Sequence, residues 1–266
     1  MGALLVCLWF AFPAWSDADK DRKKAAKSLA QEIERAQFHK VYVPDFLDAS
    51  GTRTEQGCYF ASAYSTLLSK DPHGFEVVNR IQAQKQLDAL RISSQDLVKP
   101  ELLSKAAQAL GADAVLVGTA TISPKDASLL LSLRNSSGKE VHSMSFHEKL
   151  EPAFDTSFPA IEDAGIHFYY FPGLDGVSQP RCRYCPNPDY TDEARLNRLE
   201  GNVLMSVALD EKGAITNVRV MKSPYQDFVP RSLEVLKKWR LEPSRDAEGH
   251  AVPVRVMLEI TFRLLN

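Results

Sequence analysis

The clearest pattern lies at the end of the chain. Val252, Val254, Val256, Leu258, Ile260, Phe262 and Leu264 alternate with Pro253, Arg255, Met257, Glu259, Thr261 and Arg263. Strict period-two alternation predicts a strand with one face on a core and one towards water. A strand this regular at the end of a small sheet is a candidate edge, where another chain could pair. Upstream, Val203, Met205, Val207 and Leu209 alternate inward on a first strand, and Val218 and Val220 face inward on a return strand. The turn between them, Asp210-Glu211-Lys212-Gly213, needs a positive φ that Gly213 supplies. Thr191 can cap a helix holding Ala194, Leu196 and Leu199. Val229, Leu233, Leu236 and Trp239 form a second helical stripe, which Glu242-Pro243 ends. These elements predict a small α+β domain, a three-stranded antiparallel sheet with two helices on one face.

The first half alternates helices with short apolar runs. Ala26, Leu29, Ala30 and Ile33 fit the helical spacing i, i+3, i+4, i+7, so 17–37 predicts a helix. Val41 to Phe46 reads as a strand, followed by a turn at Asp48-Ala49-Ser50-Gly51. A helix over 55–70, a short strand at Phe75 to Val78, and helices over 80–90 and 100–110 follow, the last stopped at Gly111. Ala114 to Thr119 is nearly all apolar, as a strand buried on both faces should be. Strands at 127–134 and 139–147 flank the turn Asn135-Ser136-Ser137-Gly138. The order predicts an α/β domain with a mixed sheet.

Between the two domains, Pro152, Pro159, Pro172 and Pro180 punctuate a stretch rich in Phe154, Phe158, Phe168, Tyr169, Tyr170 and Phe171. A solvated linker would not carry so many aromatics. The stretch therefore reads as a connector lying on one of the domains, loosening only near Gly173-Leu174-Asp175-Gly176. The expected divisions are a signal peptide at 1–16, an α/β domain at 17–150, the connector at 151–179 and the α+β domain at 180–266.

Composition changes this picture in three places. The net charge is -2, with 25% charged residues, so no basic surplus points to nucleic acid. Ala3 to Trp15 is an apolar run followed at once by charged residues. As a helix it would cover ~20 Å, short of a ~30 Å hydrocarbon core. With small residues at Ala14 and Ser16, it reads as a secretory signal peptide, and hence as an exported protein. An uncleaved inner-membrane anchor at 3–15 is the alternative, and a lipid-modified Cys7 a weaker one. After cleavage Cys58, Cys182 and Cys185 remain. Export to an oxidising space makes the close pair a disulfide and leaves Cys58 as a small buried hydrophobe.

Candidate chemistry is sparse. Cys182-x-x-Cys185 could be a redox pair, half a zinc site or a local staple. Pro186, Asn187 and Pro188 delay the next helix, and the nearest histidine, His167, stands alone, so the staple is the reading. The six histidines show no metal spacing, and nucleophile-elbow, P-loop and dinucleotide fingerprints are absent. Asp45 and Asp48 follow a strand, where α/β sites often lie, but read as loop-capping carboxylates. The expectation is a binding protein, not an enzyme, with no cofactor and no metal.

Residues ~180–266 resemble the TonB C-terminal domain family. The carrying residues are Tyr190, Ala194-Arg195, Leu199-Glu200-Gly201-Asn202-Val203, the hairpin Val207 to Val220, and Lys238-Trp239-Arg240-Leu241-Glu242-Pro243 before the final strand. The opening Cys182-Arg183-Tyr184-Cys185-Pro186 is similar to a subgroup with a cysteine pair ahead of the first helix. The resemblance implies a periplasmic module of a Gram-negative envelope that docks on a TonB-dependent outer-membrane transporter by taking an extended segment along its last strand. It places partner contact at Val254, Arg255, Val256, Met257, Leu258, Glu259, Ile260 and Thr261, with Arg255, Met257, Glu259 and Thr261 meeting the partner. An edge protected by Pro253 and flanking charges is the opposing reading. The long Pro-rich spacer and true membrane anchor of energy-coupling members have no counterpart in this sequence.

The first half resembles, on Val43-Pro44-Asp45-Phe46-Leu47-Asp48 and Gly111 to Thr119, the TolB amino-terminal, curli-secretion and FlgO-like envelope domains. That resemblance implies assembly in the envelope rather than chemistry. The functional expectation is a TonB-family envelope protein binding a partner by strand addition in transmembrane transport, with a homodimer through the same edge as a variant. A periplasmic thiol-disulfide or metal-handling protein using Cys182 and Cys185 is the alternative.

Overall fold

The structure is a computed structural model that describes residues 16–70, 74–123, 126–149 and 169–264. The expected signal peptide lies outside these residues except for Ser16, as does the connector up to 168. The described residues fall into two compact units, 16–149 and 169–264.

The first unit runs α1 (Ser16–Arg35), β1 (Lys40–Tyr42), α2 (Glu55–Lys70), β2 (Glu76–Val77), α3 (Arg80–Ala89), a 3-10 turn (Ser94–Val98), α4 (Pro100–Leu110), β3 (Ala114–Ile122), β4 (Asp126–Asn135) and β5 (Glu140–Lys149). Its sheet has the order β2-β1-β3-β4-β5, with β1 parallel to β2 and β3 and the rest antiparallel. This is the mixed sheet that the pattern predicts. The expected helical face of α1 is the buried one, with Ala26, Leu29, Ala30 and Ile33 all inside. A second layer packs Leu103, Ala106 and Ala107 of α4 against Tyr42 and Val115. Gly111 closes α4 in the left-handed conformation, at φ 63°.

After β1 the chain turns under α2, where Phe46 N–H donates to the Gly57 carbonyl. A Cβ at Gly57 would lie 1.9 Å from the Phe46 oxygen, so only glycine admits the approach. Two charged clusters are buried in this unit. Arg22 of α1 donates to both carboxylate oxygens of Glu148 on β5 and to the Tyr59 hydroxyl, while Tyr64 donates to Glu148. Asp45 is clamped between the guanidiniums of Arg53 and Arg80. A buried carboxylate needs such partners, because desolvation without them costs several kcal/mol.

The second unit runs β6 (Arg181–Tyr184), α5 (Asp192–Leu196), β7 (Gly201–Leu209), β8 (Ile215–Lys222), α6 (Phe228–Leu236), β9 (Arg240–Glu242) and β10 (Val254–Phe262). Its main sheet is antiparallel, in the order β10-β7-β8, and β6 pairs with β9 in a separate ribbon. Val203, Met205, Val207 and Leu209 are buried as predicted, and Phe262 stacks on Phe228 of α6 with ring centres 4.0 Å apart. Tyr190 closes this aromatic cluster edge-on to both rings.

Several expectations are corrected here. The helical stripe ends at Leu236, and Arg240–Glu242 is a strand because it pairs with β6. Trp239 is buried just past the helix, held by its indole N–H on the Pro186 carbonyl. The first helix is a single short turn in which Ala194 is buried and Leu196 is 84% exposed. Val218 is half-buried and Val220 exposed, since β8 is the sheet's far edge. Gly213 takes the positive φ expected of it, 78°. A Cβ there would sit 2.3 Å from the Leu241 carbonyl oxygen, so the β7–β8 turn is pressed against β9.

The described end of the connector, from Tyr169, belongs to the second unit. Phe171 and Val177 are buried, and Gly173 N–H donates to the Val177 carbonyl in a hydrogen-bonded turn across the glycines expected to loosen it. Ser178 and Arg245 exchange hydrogen bonds that tie the segment down.

Candidate functional site

β10 is an edge strand. It pairs with β7 over all nine residues, Val254 opposite Leu209 to Phe262 opposite Gly201, without a register shift. Its even-numbered side chains, Val254, Val256, Leu258, Ile260 and Phe262, are buried, and Met257, Glu259 and Thr261 are half-buried on the other face. The alternation read from the sequence therefore holds.

The direction of the backbone groups follows from one hydrogen bond. Arg255 N–H donates to the Tyr170 carbonyl, on the side away from β7. In an antiparallel pair, alternate residues point both backbone groups at the partner and the others point both away. So 254, 256, 258, 260 and 262 bond to β7, while 255, 257, 259 and 261 aim outwards.

The outer edge is partly taken by the chain itself. Tyr170 bridges Val254 in parallel: its N–H donates to the Pro253 carbonyl at 2.9 Å, and its carbonyl accepts from Arg255 at 2.9 Å. Val254 and Arg255 are thus not open to a partner strand in the way the sequence suggested. The Arg255 side chain is also withdrawn. It is 5% exposed, lies 4.8 Å from the Tyr169 ring centre, and donates to Ser206 Oγ at 3.2 Å. A long cation on the sheet's outer face folds under an aromatic ring more favourably than it stays bare. The side chains of Val254, Val256, Leu258 and Ile260 serve the core. Among the described residues, no chain pairs with the outward groups of Met257, Glu259 and Thr261. Glu259 is the charged side chain beside them and accepts from Asn202 Nδ2 at 2.5 Å.

The other candidate groups fall into structural roles. Cys182 of the exposed strand β6 and Cys185 just past its end form a disulfide, and α5 begins only at Asp192. Neither sulfur therefore lies at a helix N-terminus, where a thiol is activated. Cys58 is buried beside the Asp45 cluster, and burial together with the Asp45 charge pushes its thiol up to about 12. Burial alone would raise the Asp45 carboxyl, but Arg53 and Arg80 outweigh it and hold Asp45 below the usual carboxylate range. Asp48 caps its loop, accepting from the Ser50 and Thr52 amides. A cleft of about 270 Å³ beside Asp45 is lined by Leu97, Val98, Val117, Leu130 and Ser132 among others. Both Asp45 carboxylate oxygens are already occupied by arginine. Asp246, Glu248 and His250 cluster in an exposed turn, where Asp246 Oδ1 accepts from the other two residues' amides.

Sequence reasoning missed the Tyr170 rung, although the connector's crowded aromatics were the signal for it. It had no signal for the Arg22–Glu148 pair, 126 residues apart, or for the Asp45–Arg53–Arg80 cluster, which no local pattern marks.

Comparison with known proteins finds a family match in the second unit. Residues 186–264 match the family described as Gram-negative bacterial TonB protein C-terminal. Protein TonB of Yersinia enterocolitica is 32% identical over 72 residues, 27% of this chain and 28% of that protein. The chain thus spans little more than a quarter of that relative's length. Among solved structures, the Pseudomonas aeruginosa TonB C-terminal domain is similar over 33% of this chain and 88% of its own, at 24% identity and a TM-score of 0.29. E. coli LpoB is similar over 49% of this chain and 68% of its own, at 15% identity and a TM-score of 0.38. The LpoB C-terminal domain of Salmonella enterica covers 50% of this chain and 99% of its own, at 14% identity and a TM-score of 0.38. No helix among the described residues is long and apolar enough to cross a membrane.

Proposed function

We propose that this chain, whose residues 186–264 carry a TonB C-terminal domain, is an exported periplasmic protein that acts by binding and not by catalysis. Its C-terminal unit takes up an extended segment of another envelope protein along β10. The partner is an outer-membrane transporter of the TonB-dependent kind, and the setting is transmembrane transport. The first unit makes a second contact in the envelope, with another protein or with a copy of itself.

One observation carries the reading: the unshifted edge of β10 leaves the outward amides and carbonyls of Met257, Glu259 and Thr261 without a described partner. Exposed strand edges pair readily, main-chain hydrogen bonds giving the affinity and alternate side chains the selectivity. The test is site-specific photo-crosslinking in the native envelope from Met257 and Thr261, with Thr216 on the opposite edge as control. Capture of one transporter from the two β10 positions and not from Thr216 supports the reading. Equal capture from all three positions, or from none, refutes it.

A further inference from the structure

The rung made by Tyr170 sits on the same edge as the proposed docking strand. We propose that the segment Tyr169–Phe171 is a built-in stop that fixes where a partner strand begins and how long it can be. This inference rests on strand addition at β10 and goes beyond it. The occupant is an extended segment of about six residues from another protein, with a basic side chain placed beside Glu259.

The stop is anchored from several directions. Two backbone hydrogen bonds of 2.9 Å join Tyr170 to Pro253 and Arg255. Phe171 is buried at 5% and Val177 at 3%, so lifting the segment would expose both side chains. Tyr169 covers the Arg255 guanidinium at 4.8 Å. The Phe171–Val177 turn closes on itself, and Ser178 is bonded to Arg245 in both directions. A partner strand would have to lift Tyr170 out of both its hydrogen bonds to pair at Val254, for the gain of the same two. It gains more by leaving the rung in place.

The open edge then begins at the Arg255 carbonyl and ends at Thr261. Six strand steps span about 20 Å at ~3.3 Å each. That length admits about six residues and no more. The seated Tyr170 also shows that the edge accepts a neighbouring strand without distortion of the β7 pairing, which keeps its register there. The selecting charge is Glu259 alone, because Arg255 is already spent on Tyr169 and Ser206. A basic partner side chain is therefore favoured, and an acidic one finds no cation on the open rungs.

The test uses the full chain and end-blocked peptides of alternating threonine and valine with one central lysine, in lengths of four, six and eight residues. NMR titration gives the affinities, and amide hydrogen exchange reads the rungs. The expected result is binding roughly 30-fold tighter from four to six residues, for the one rung of two hydrogen bonds that two residues add, and no gain from six to eight. Met257, Glu259 and Thr261 amides become protected, and the Tyr170 amide keeps its protection. If the eight-residue peptide binds tenfold tighter than the six and the Tyr170 amide loses protection, the segment is displaced and the stop is refuted, while strand addition survives. Protection of none of the three amides at any length sinks strand addition, and this inference with it. The exchange arm needs no variant, so misfolding cannot obscure the outcome.

Discussion

Proline placed at Met257 and at Val256 should have opposite consequences, although the two residues are adjacent. The Met257 amide faces outwards, so its loss removes no hydrogen bond to β7, and edge positions tolerate proline. Met257→Pro should therefore shift the stability of the second unit by less than about 1 kcal/mol. Partner binding is another matter. One outward donor disappears and the ring pushes the added strand away, so a rung of two hydrogen bonds is lost. At ~1 kcal/mol each this is about 2 kcal/mol, or roughly 30-fold in affinity. Val256, opposite Val207, points its amide at β7. Val256→Pro leaves a buried carbonyl unpaired and drives a ring into β7, which should cost about 3 kcal/mol or more. Valine and proline are close in size, so little of this comes from a cavity. The assay is urea unfolding followed by tryptophan fluorescence. In protein lacking residues 1–16, Trp239 is the one tryptophan and lies in the second unit. If Met257→Pro destabilises as strongly as Val256→Pro, the outer edge is already paired and the docking strand has been misassigned.

Three further outcomes follow from the geometry. Asp45→Asn should destabilise the first unit by about 3–5 kcal/mol in thermal or urea unfolding, because the buried Arg53 and Arg80 lose the carboxylate charge between them. The pH dependence has a fixed sign: Asp45 titrates below its unfolded value, near 3.9, so its contribution is whole above about pH 4 and is lost as pH falls through the lower folded value. Stability that stays flat from pH 5 down to pH 2 would contradict this. Gly213→Ala should cost the second unit more than about 2 kcal/mol, from the positive φ together with the clash on the Leu241 carbonyl. Cys58, buried with its thiol pushed up to about 12, should resist iodoacetamide at pH 8 and react only on unfolding; mass spectrometry of the labelled peptide decides the matter.

The parts of the fold that sequence disclosed are those where local pattern and burial agree. Strict alternation in Val252 to Leu264 marked β10, and the buried run from Ala114 marked β3, because neighbouring side chains carry the whole signal. The short strand Arg240–Glu242 was hidden: its tripeptide has no period of its own and is a strand only because Arg181–Tyr184 pairs with it. Leu196 fits a helical stripe in the sequence, yet α5 ends too soon to bring it to the core. The candidate site was half legible. Its strand and facing were readable, but Arg255 was misjudged, since nothing local to it reveals a Tyr169 ring distant in the chain. The arginine–carboxylate clusters were invisible for the same reason, Arg22 and Glu148 being 126 residues apart.

The main sheet of the second unit presents two strand edges, β10 and β8, and their difference favours β10 for the proposed docking. The β7–β8 pairing carries register shifts at Leu204/Met205 and at Ala208/Leu209. Such irregularities twist an edge away from further pairing, and β8 adds the exposed Lys222 near its end. β10 has no register shift over its nine residues, and the charge on its open rungs, Glu259, is held by Asn202. Its protection is confined to one end, where Pro253 has no amide to offer and Tyr170 fills the first rung. An edge meant only to be guarded would be blocked in the middle, where a single bulge or inward charge spoils every register. An edge blocked at one end is shortened without being closed, and a shortened edge selects for length. If breaking β10 with a central bulge, by inserting one residue after Met257, leaves partner capture intact, this distinction between guarding and measuring is wrong.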